Sequence, residues 1–137
     1  MQTIAIVTPV YATPENGRLE LFAQTLKSVL RQSHPDLVYI VVDDGSTADV
    51  PDLLRDANDS RIRYLRREKS QTDLRTASNA LNIGLEYAVK RSKDLFSSKE
   101  LRDLGAVTFL HSDDLLIPES MEKRIQQLET GFVYTDM

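Results

Sequence analysis

Apolar residues follow two rhythms along this chain. Ile4-Ala5-Ile6-Val7 and Leu37-Val38-Tyr39-Ile40-Val41-Val42 are apolar at consecutive positions, the pattern of strands covered on both faces in a parallel sheet. Between them, Leu19, Phe22, Ala23, Leu26, Val29 and Leu30 recur at spacings of three and four, which predicts an amphipathic helix. Pro9 is expected to end the first strand, a loop carrying Pro14, Asn16 and Gly17 to follow it, and His34-Pro35-Asp36 to break the helix. After the second strand, Asp49 is placed to cap a short helix with Pro51 in its first turn, closed by Asn58-Asp59-Ser60. Residues 61–65 alternate as a strand exposed on one side.

A polar stretch over 66–72 reads as a loop. Beyond it, Ala77, Ala80, Leu81, Gly84, Leu85, Ala88 and Val89 define one small-residue helical face suited to close packing on a sheet. Residues 90–104 hold few apolar positions and read as a surface insertion, in which Ser98 is expected to cap a brief extra helix. Residues 106–110 form the expected fourth strand. A helix opened by Pro118 should turn Met121, Ile125 and Leu128 inward and stop at Gly131, before a fifth strand over 132–135. Strands separated by helices of this length imply right-handed βαβ units. The expected architecture is α/β: a three-layer, Rossmann-like open sheet, mainly parallel, with helices on both faces, in one domain spanning 1–137. In such sheets ligands lie beyond the carboxyl ends of the strands, where the strand order reverses.

Composition narrows the chemistry. The 137 residues include no cysteine and two histidines, His34 and His111, which excludes disulfides, zinc-thiolate sites and thiol nucleophiles and leaves little for a histidine-rich metal centre. Hard oxygen ligands remain available. A formal net charge of −4 argues against broad binding to nucleic acid. No apolar stretch has the length of a transmembrane span, and the first residues lack the basic start of a signal peptide. The expectation is a cytoplasmic protein.

Two acidic doublets stand in equivalent places, Asp43-Asp44 after the second strand and Asp113-Asp114 after the fourth. In one parallel sheet their carboxylates gather along one edge, which is unfavourable unless a cation or hydrogen-bond donors offset the charge. Either doublet alone is an ordinary turn or cap. Together they point to a divalent ion, Mg²⁺ or Mn²⁺, on Asp113 and Asp114, with Asp44 accepting hydrogen bonds from a ribose or base.

Ile4-Ala5-Ile6-Val7-Thr8-Pro9-Val10-Tyr11, Val41-Val42-Asp43-Asp44-Gly45-Ser46-Thr47, Asn79-Ala80-Leu81-Asn82-Ile83-Gly84-Leu85 and Phe109-Leu110-His111-Ser112-Asp113-Asp114 resemble, in order and spacing, successive motifs of the family-2 nucleotide-sugar glycosyltransferases. The resemblance covers residues 3–136. It implies a GT-A fold that binds a UDP-, GDP- or dTDP-sugar and transfers the sugar to an acceptor hydroxyl, usually with inversion. It further implies donor contacts from Thr8, Pro9, Tyr11, Asp43, Asp44, Arg75 and Asp113, and a divalent metal on Asp113 and Asp114. His111 stands where many relatives begin a longer acidic string, and residues 90–104 exceed the usual connection, so this insertion is a candidate to cover or line the donor site. The chain stops before the segment that supplies the acceptor site and general base, so no catalytic base is assigned.

Plainer readings stand beside these. Arg61, Arg63, Arg66, Arg67 and Lys69 are expected to be largely solvated, as is His34. His111 reads as structural. A nucleotide-sugar-binding module without turnover is the alternative function. A receiver-type phosphoacceptor domain would need acids after the first strand, where Thr8-Pro9 stands. An abruptly ended fifth strand leaves an edge that a second copy could cover, giving a homodimer.

Overall fold

The computed structural model describes residues 3–68, 77–116 and 118–123. In chain order they form strand β1 (Thr3–Val10), helix α1 (Arg18–Leu30), strand β2 (Leu37–Asp44), helix α2 (Val50–Ala57), strand β3 (Ile62–Arg67), helices α3 (Ala77–Ser92) and α4 (Lys99–Arg102), and strand β4 (Leu104–Phe109). The described strands make one parallel sheet in the order β3-β2-β1-β4. The chain winds outward from β1 through β2 to β3, then crosses back to place β4 on the far side of β1. The strand order therefore reverses between β1 and β4.

Strand periodicity sorts the core into two layers. Ile4, Ile6, Leu37, Tyr39 and Val41 pack with Phe22, Leu26 and Val29 of α1 and with Val50 and Leu54 of α2. Ala5, Val7, Val38, Ile40 and Val42 pack on the opposite face with Ala80 and Ala88 of α3 and Leu101 of α4. Helices thus cover both faces, as the consecutive apolar runs require. The small-residue face of α3 has a steric cause: a Cβ built on Gly84 would lie 2.3 Å from Val7 Cγ1 and 3.2 Å from Val42 Cγ2. Asp49 caps α2 by accepting the Asp52 N–H at 3.0 Å, and Asn58 ends that helix in the left-handed region.

Four expectations need correction. Pro9 does not end β1, because the strand continues to Val10 with Pro9 opposite Val42. Ile4 donates toward the β2 side and Val7 accepts from Leu110 on the β4 side. By alternation, the N–H that Pro9 lacks would point toward β4, where strand pairing stops at Val7 opposite Phe109. The proline thus marks the end of one ladder and leaves the other intact. Secondly, β4 begins at Leu104, two residues early. Thirdly, the insertion lies at the amino edge of the sheet, since α3 runs antiparallel to the strands and Thr3 N–H bonds Asp103 O at 3.1 Å. It cannot cover the carboxyl edge; Leu101 pins it under the α3 layer. Ser98 occupies the cap of α4 without a side-chain cap bond. Finally, His34 is buried, 2% exposed. Residues 120–123 are helical with Met121 buried; Ile125, Leu128, Gly131 and the expected fifth strand lie outside the described residues.

Candidate functional site at the carboxyl edge

The strands β1, β2 and β4 end side by side, and the loops that follow form a rim. Asp43 and Asp44 close β2. As consecutive strand residues they face opposite layers, so the doublet does not act as one group. Asp43 is buried at 0% exposure, and both its oxygens are engaged. Oδ1 accepts the Ser46 N–H at 2.9 Å; Oδ2 accepts the Tyr64 hydroxyl at 2.5 Å and Arg66 Nη1 at 3.1 Å. Burial and the bond to Asp43 raise the Tyr64 phenol above its ordinary pKa, so it stays a donor through the neutral range. Asp44, also buried, accepts Arg67 Nε at 2.5 Å.

These ion pairs follow from register: Asp43 stands opposite Arg66 and Asp44 opposite Arg67 across the β2–β3 ladder. The expectation that the basic cluster is mostly solvated therefore fails for its central members. Arg61 is also engaged, bonding Asp59 through Nε at 3.0 Å and Nη2 at 2.8 Å, and Leu30 O at 3.0 Å. The signal was present in the sequence as an acid doublet ending one strand and an arginine doublet ending the next. Lys69 lies outside the described residues.

On the β1 side, Thr8 is buried and its Oγ1 accepts the Tyr39 hydroxyl at 2.8 Å; burial raises the Tyr39 phenol far above its ordinary pKa. Tyr11 follows the strand end and is half-buried. The loop after it is braced by Asn16, whose Oδ1 accepts the N–H groups of Thr13 and Arg18 at 3.0 Å each while Nδ2 donates to Tyr11 O at 3.1 Å. Ser46 joins the two loops: its Oγ accepts the Ala12 N–H at 2.9 Å, and Thr47 and Ala48 both donate to Ala12 O at 3.0 Å.

Beyond β4 the chain lies along α1 on a polar stripe that the apolar pattern did not disclose. The Thr25 hydroxyl stands 2.9 Å from Ser112 O, 2.7 Å from Asp114 O and 3.2 Å from Leu21 O of its own helix, and carries one hydrogen to share among them. Ser28 Oγ accepts the Leu116 N–H at 3.2 Å, and Gln32 Oε1 accepts the Met121 N–H at 3.0 Å. Asp113 meets Arg18 Nη1 at 3.1 Å, with side chains 46% and 45% exposed for arginine and aspartate. The Asp114 carboxylate is half-buried and makes no hydrogen bond among the described residues. His111 is exposed.

The two doublets thus share an edge, with their strands separated by the width of β1, about 10 Å. Arginines balance Asp43, Asp44 and Asp113, an offset by protein donors where a shared cation was the other possibility. No group of three histidine or acidic side chains converges as a metal site among the described residues. Arg75 lies outside them.

Comparisons with known proteins bear on this rim. The sequence pattern of glycosyl transferase family 2 matches residues 5–136. The chain is 26% identical over 134 residues to the UDP-Glc:alpha-D-GlcNAc-diphosphoundecaprenol beta-1,3-glucosyltransferase WfaP of Escherichia coli, covering 98% of this chain and 44% of that one. In fold it resembles S. aureus TarS in complex with UDP, with TM-score 0.67 at 16% identity over 93% of this chain and 32% of that one. It also resembles the mannosyltransferase PcManGT from Pyrobaculum calidifontis in complex with GDP-Man and Mn²⁺, with TM-score 0.53 at 21% identity over 83% and 28%. The chain spans 16% to 44% of the length of the curated relatives it matches.

Proposed function

Since the chain belongs to glycosyl transferase family 2, we propose that residues 1–137 are the nucleotide-sugar-binding half of an inverting, metal-dependent transferase that moves a sugar from a UDP-, GDP- or dTDP-sugar to an acceptor hydroxyl. The observation that carries this reading is the reversal of strand order between β1 and β4, where Pro9 marks the end of the ladder and the loops of Tyr11 and Asp113-Asp114 flank the opening. Ligands of open α/β sheets bind at such a point.

In this reading Tyr11 packs on the base, Asp44 accepts from base or ribose, and Thr8, Pro9 and Arg75 complete the nucleotide side. Thr8 acts through its backbone, because its side chain is fully buried against Tyr39. The residues present fit a divalent ion of the Mg²⁺ or Mn²⁺ kind. Asp114 offers a carboxylate unengaged among the described residues, Asp113 a second one shared with Arg18, and such ions take one or two carboxylates and fill the remaining positions with water and phosphate. When bound, the ion would neutralise the diphosphate that leaves as the glycosidic bond breaks. Thr25 holds the backbone at Asp114, and so fixes the height of that carboxylate above α1. The acceptor proton passes to a base that this reading does not assign. We place the protein in the cytoplasm and allow two copies to pair along the edge of the expected fifth strand; among the described residues, no helix is long and apolar enough to cross a membrane.

Calorimetry with UDP-, GDP- and dTDP-sugars, with and without Mn²⁺, tests the proposal. One nucleotide should bind with Mn²⁺ and lose at least tenfold in affinity in Asp114→Asn. Binding indifferent both to Mn²⁺ and to that substitution overturns the site assignment. Metal-dependent binding with no release of sugar in the presence of acceptors favours the binding module.

A further inference from the structure

Asp43 was expected to contact the donor, and its surroundings leave it no means to do so. The carboxylate is buried, with Oδ1 on the Ser46 N–H and Oδ2 on Tyr64 and Arg66. What it does instead follows from tracing the bonds outward. The Arg66 guanidinium reaches past Asp43 to Ser46 O, donating from Nη1 and Nη2 at 3.2 Å each. Both main-chain polar groups of Ser46, its N–H and its carbonyl, in the tight turn after β2, are therefore fixed by one acid–arginine pair. Ser46 Oγ in turn holds the Ala12 N–H, and Thr47 and Ala48 close on Ala12 O. An unbroken series of bonds runs from the edge strand β3, through the β2 turn, to the residue beside Tyr11.

We infer that Asp43, Tyr64 and Arg66 are positioning residues that lock the two loops of the proposed donor site into one unit, with Asp43 acting through Ser46 and never on the nucleotide itself. The inference rests on the donor-site reading above, and it moves Asp43 out of the set of ligand contacts. It also gives β3 a role at a site it does not line: its even-numbered side chains set the level of a loop that belongs to β1. Tyr64 contributes one of the three donors to Asp43, so its loss should loosen the unit without collapsing it.

The test uses Tyr64→Phe and Arg66→Lys in the chain as it stands. Tyr64→Phe should accelerate hydrogen exchange at the Ser46 and Ala12 amides relative to those of Ile6 and Tyr39, and weaken binding of whichever of UDP, GDP or dTDP the wild type takes by about fivefold, the weight of one hydrogen bond. Affinity for Mn²⁺ alone should not change. Arg66→Lys keeps the charge on Asp43 but has one attachment point where the guanidinium has two, so its exchange rates should fall between wild type and Arg66→Met. Exchange at Ser46 and Ala12 that stays at the wild-type rate in Tyr64→Phe overturns the coupling, and so does faster exchange with unaltered nucleotide affinity. A wild-type chain that binds none of the three nucleotides defeats the donor reading, and the exchange measurement still decides whether the loops move together.

Discussion

Asp43 and Arg66 are register partners across β2 and β3, and Arg66 Nη1 lies 3.1 Å from Oδ2 of a carboxylate that has no solvent exposure. One residue further, Asp44 and Arg67 repeat the arrangement on the other face. Truncating a buried charge leaves its partners unmatched. Asp43→Ala strips the Ser46 N–H, the Tyr64 hydroxyl and Arg66 of a common acceptor at once, and should cost about 3 kcal/mol of stability. Urea unfolding followed by circular dichroism would measure it; a loss below about 1 kcal/mol would show that the pair is not buried as described.

Gly84 concerns packing alone. A methyl group there meets Val7 Cγ1 at 2.3 Å in the middle of the sheet, and overpacking of this kind costs about 1–3 kcal/mol. The gain in helix propensity on replacing glycine, up to about 1 kcal/mol, works the other way. Gly84→Ala should therefore be destabilising, and adding Val7→Ala should recover part of the loss. A double-mutant cycle with no coupling between the two sites would refute the contact.

Asp59 predicts a pH dependence. Hydrogen bonds from the Arg61 guanidinium hold its carboxyl below the ordinary 3.8, so on acidification the unfolded chain takes up the proton first. The stability it contributes is complete above the ordinary value and disappears as pH falls through the lower folded value. Asp59→Asn should lower the melting temperature at pH 6 and flatten its decline below about pH 4. A variant whose melting curve keeps the wild-type slope in that acid range would contradict this assignment.

The pair Arg18–Asp113 lies open to solvent, and exposed pairs contribute little, about 0–1 kcal/mol. Arg18→Ala should leave stability nearly unchanged. If Asp113 holds a cation as proposed, the same substitution should tighten Mn²⁺ binding, because the carboxylate no longer has a competing partner. Weaker Mn²⁺ binding in Arg18→Ala would argue that the arginine helps build the site.

Thr25 offers a complementary test from beneath the loop. Replacing its hydroxyl in Thr25→Val leaves Ser112 O and Asp114 O without their donor, at a cost of about 1–2 kcal/mol. Mn²⁺ affinity should fall in Thr25→Val and be largely retained in Thr25→Ser; a loss in Thr25→Ser with wild-type affinity in Thr25→Val would point instead to packing of the γ-methyl group.

Much of this architecture is legible from residue pattern because the covering of the sheet is symmetric. The unbroken apolar runs of β1 and β2 are what two helical layers demand, and the small face of α3 announces its close approach. Asp49 and Asn58 mark the ends of α2 by local chemistry, which needs no tertiary information. Pro9 is ambiguous in sequence because a proline breaks only the ladder its nitrogen faces, and which neighbour that is depends on strand order. The arginines after Leu65 are ambiguous for a related reason: their partners are named by register, and register between β2 and β3 is absent from either segment alone. The polar stripe Thr25, Ser28, Gln32 is invisible to apolar periodicity, in which hydroxyls and amides count as solvent-facing. The placement of residues 90–104 depended on the length of α3, which carries the chain to the opposite end of the sheet before the insertion begins.

The edge strand carries a final implication. Arg61, just before β3, and Arg63, Arg66 and Arg67 within it stand in one short segment at the border of the described sheet. A second molecule approaching to extend the ladder from that side would bring guanidinium against guanidinium, and backbone pairing at an open border is discouraged when like charges line it. The arginine run that supplies partners to the acids of the rim thus also makes this border a poor template for strand addition.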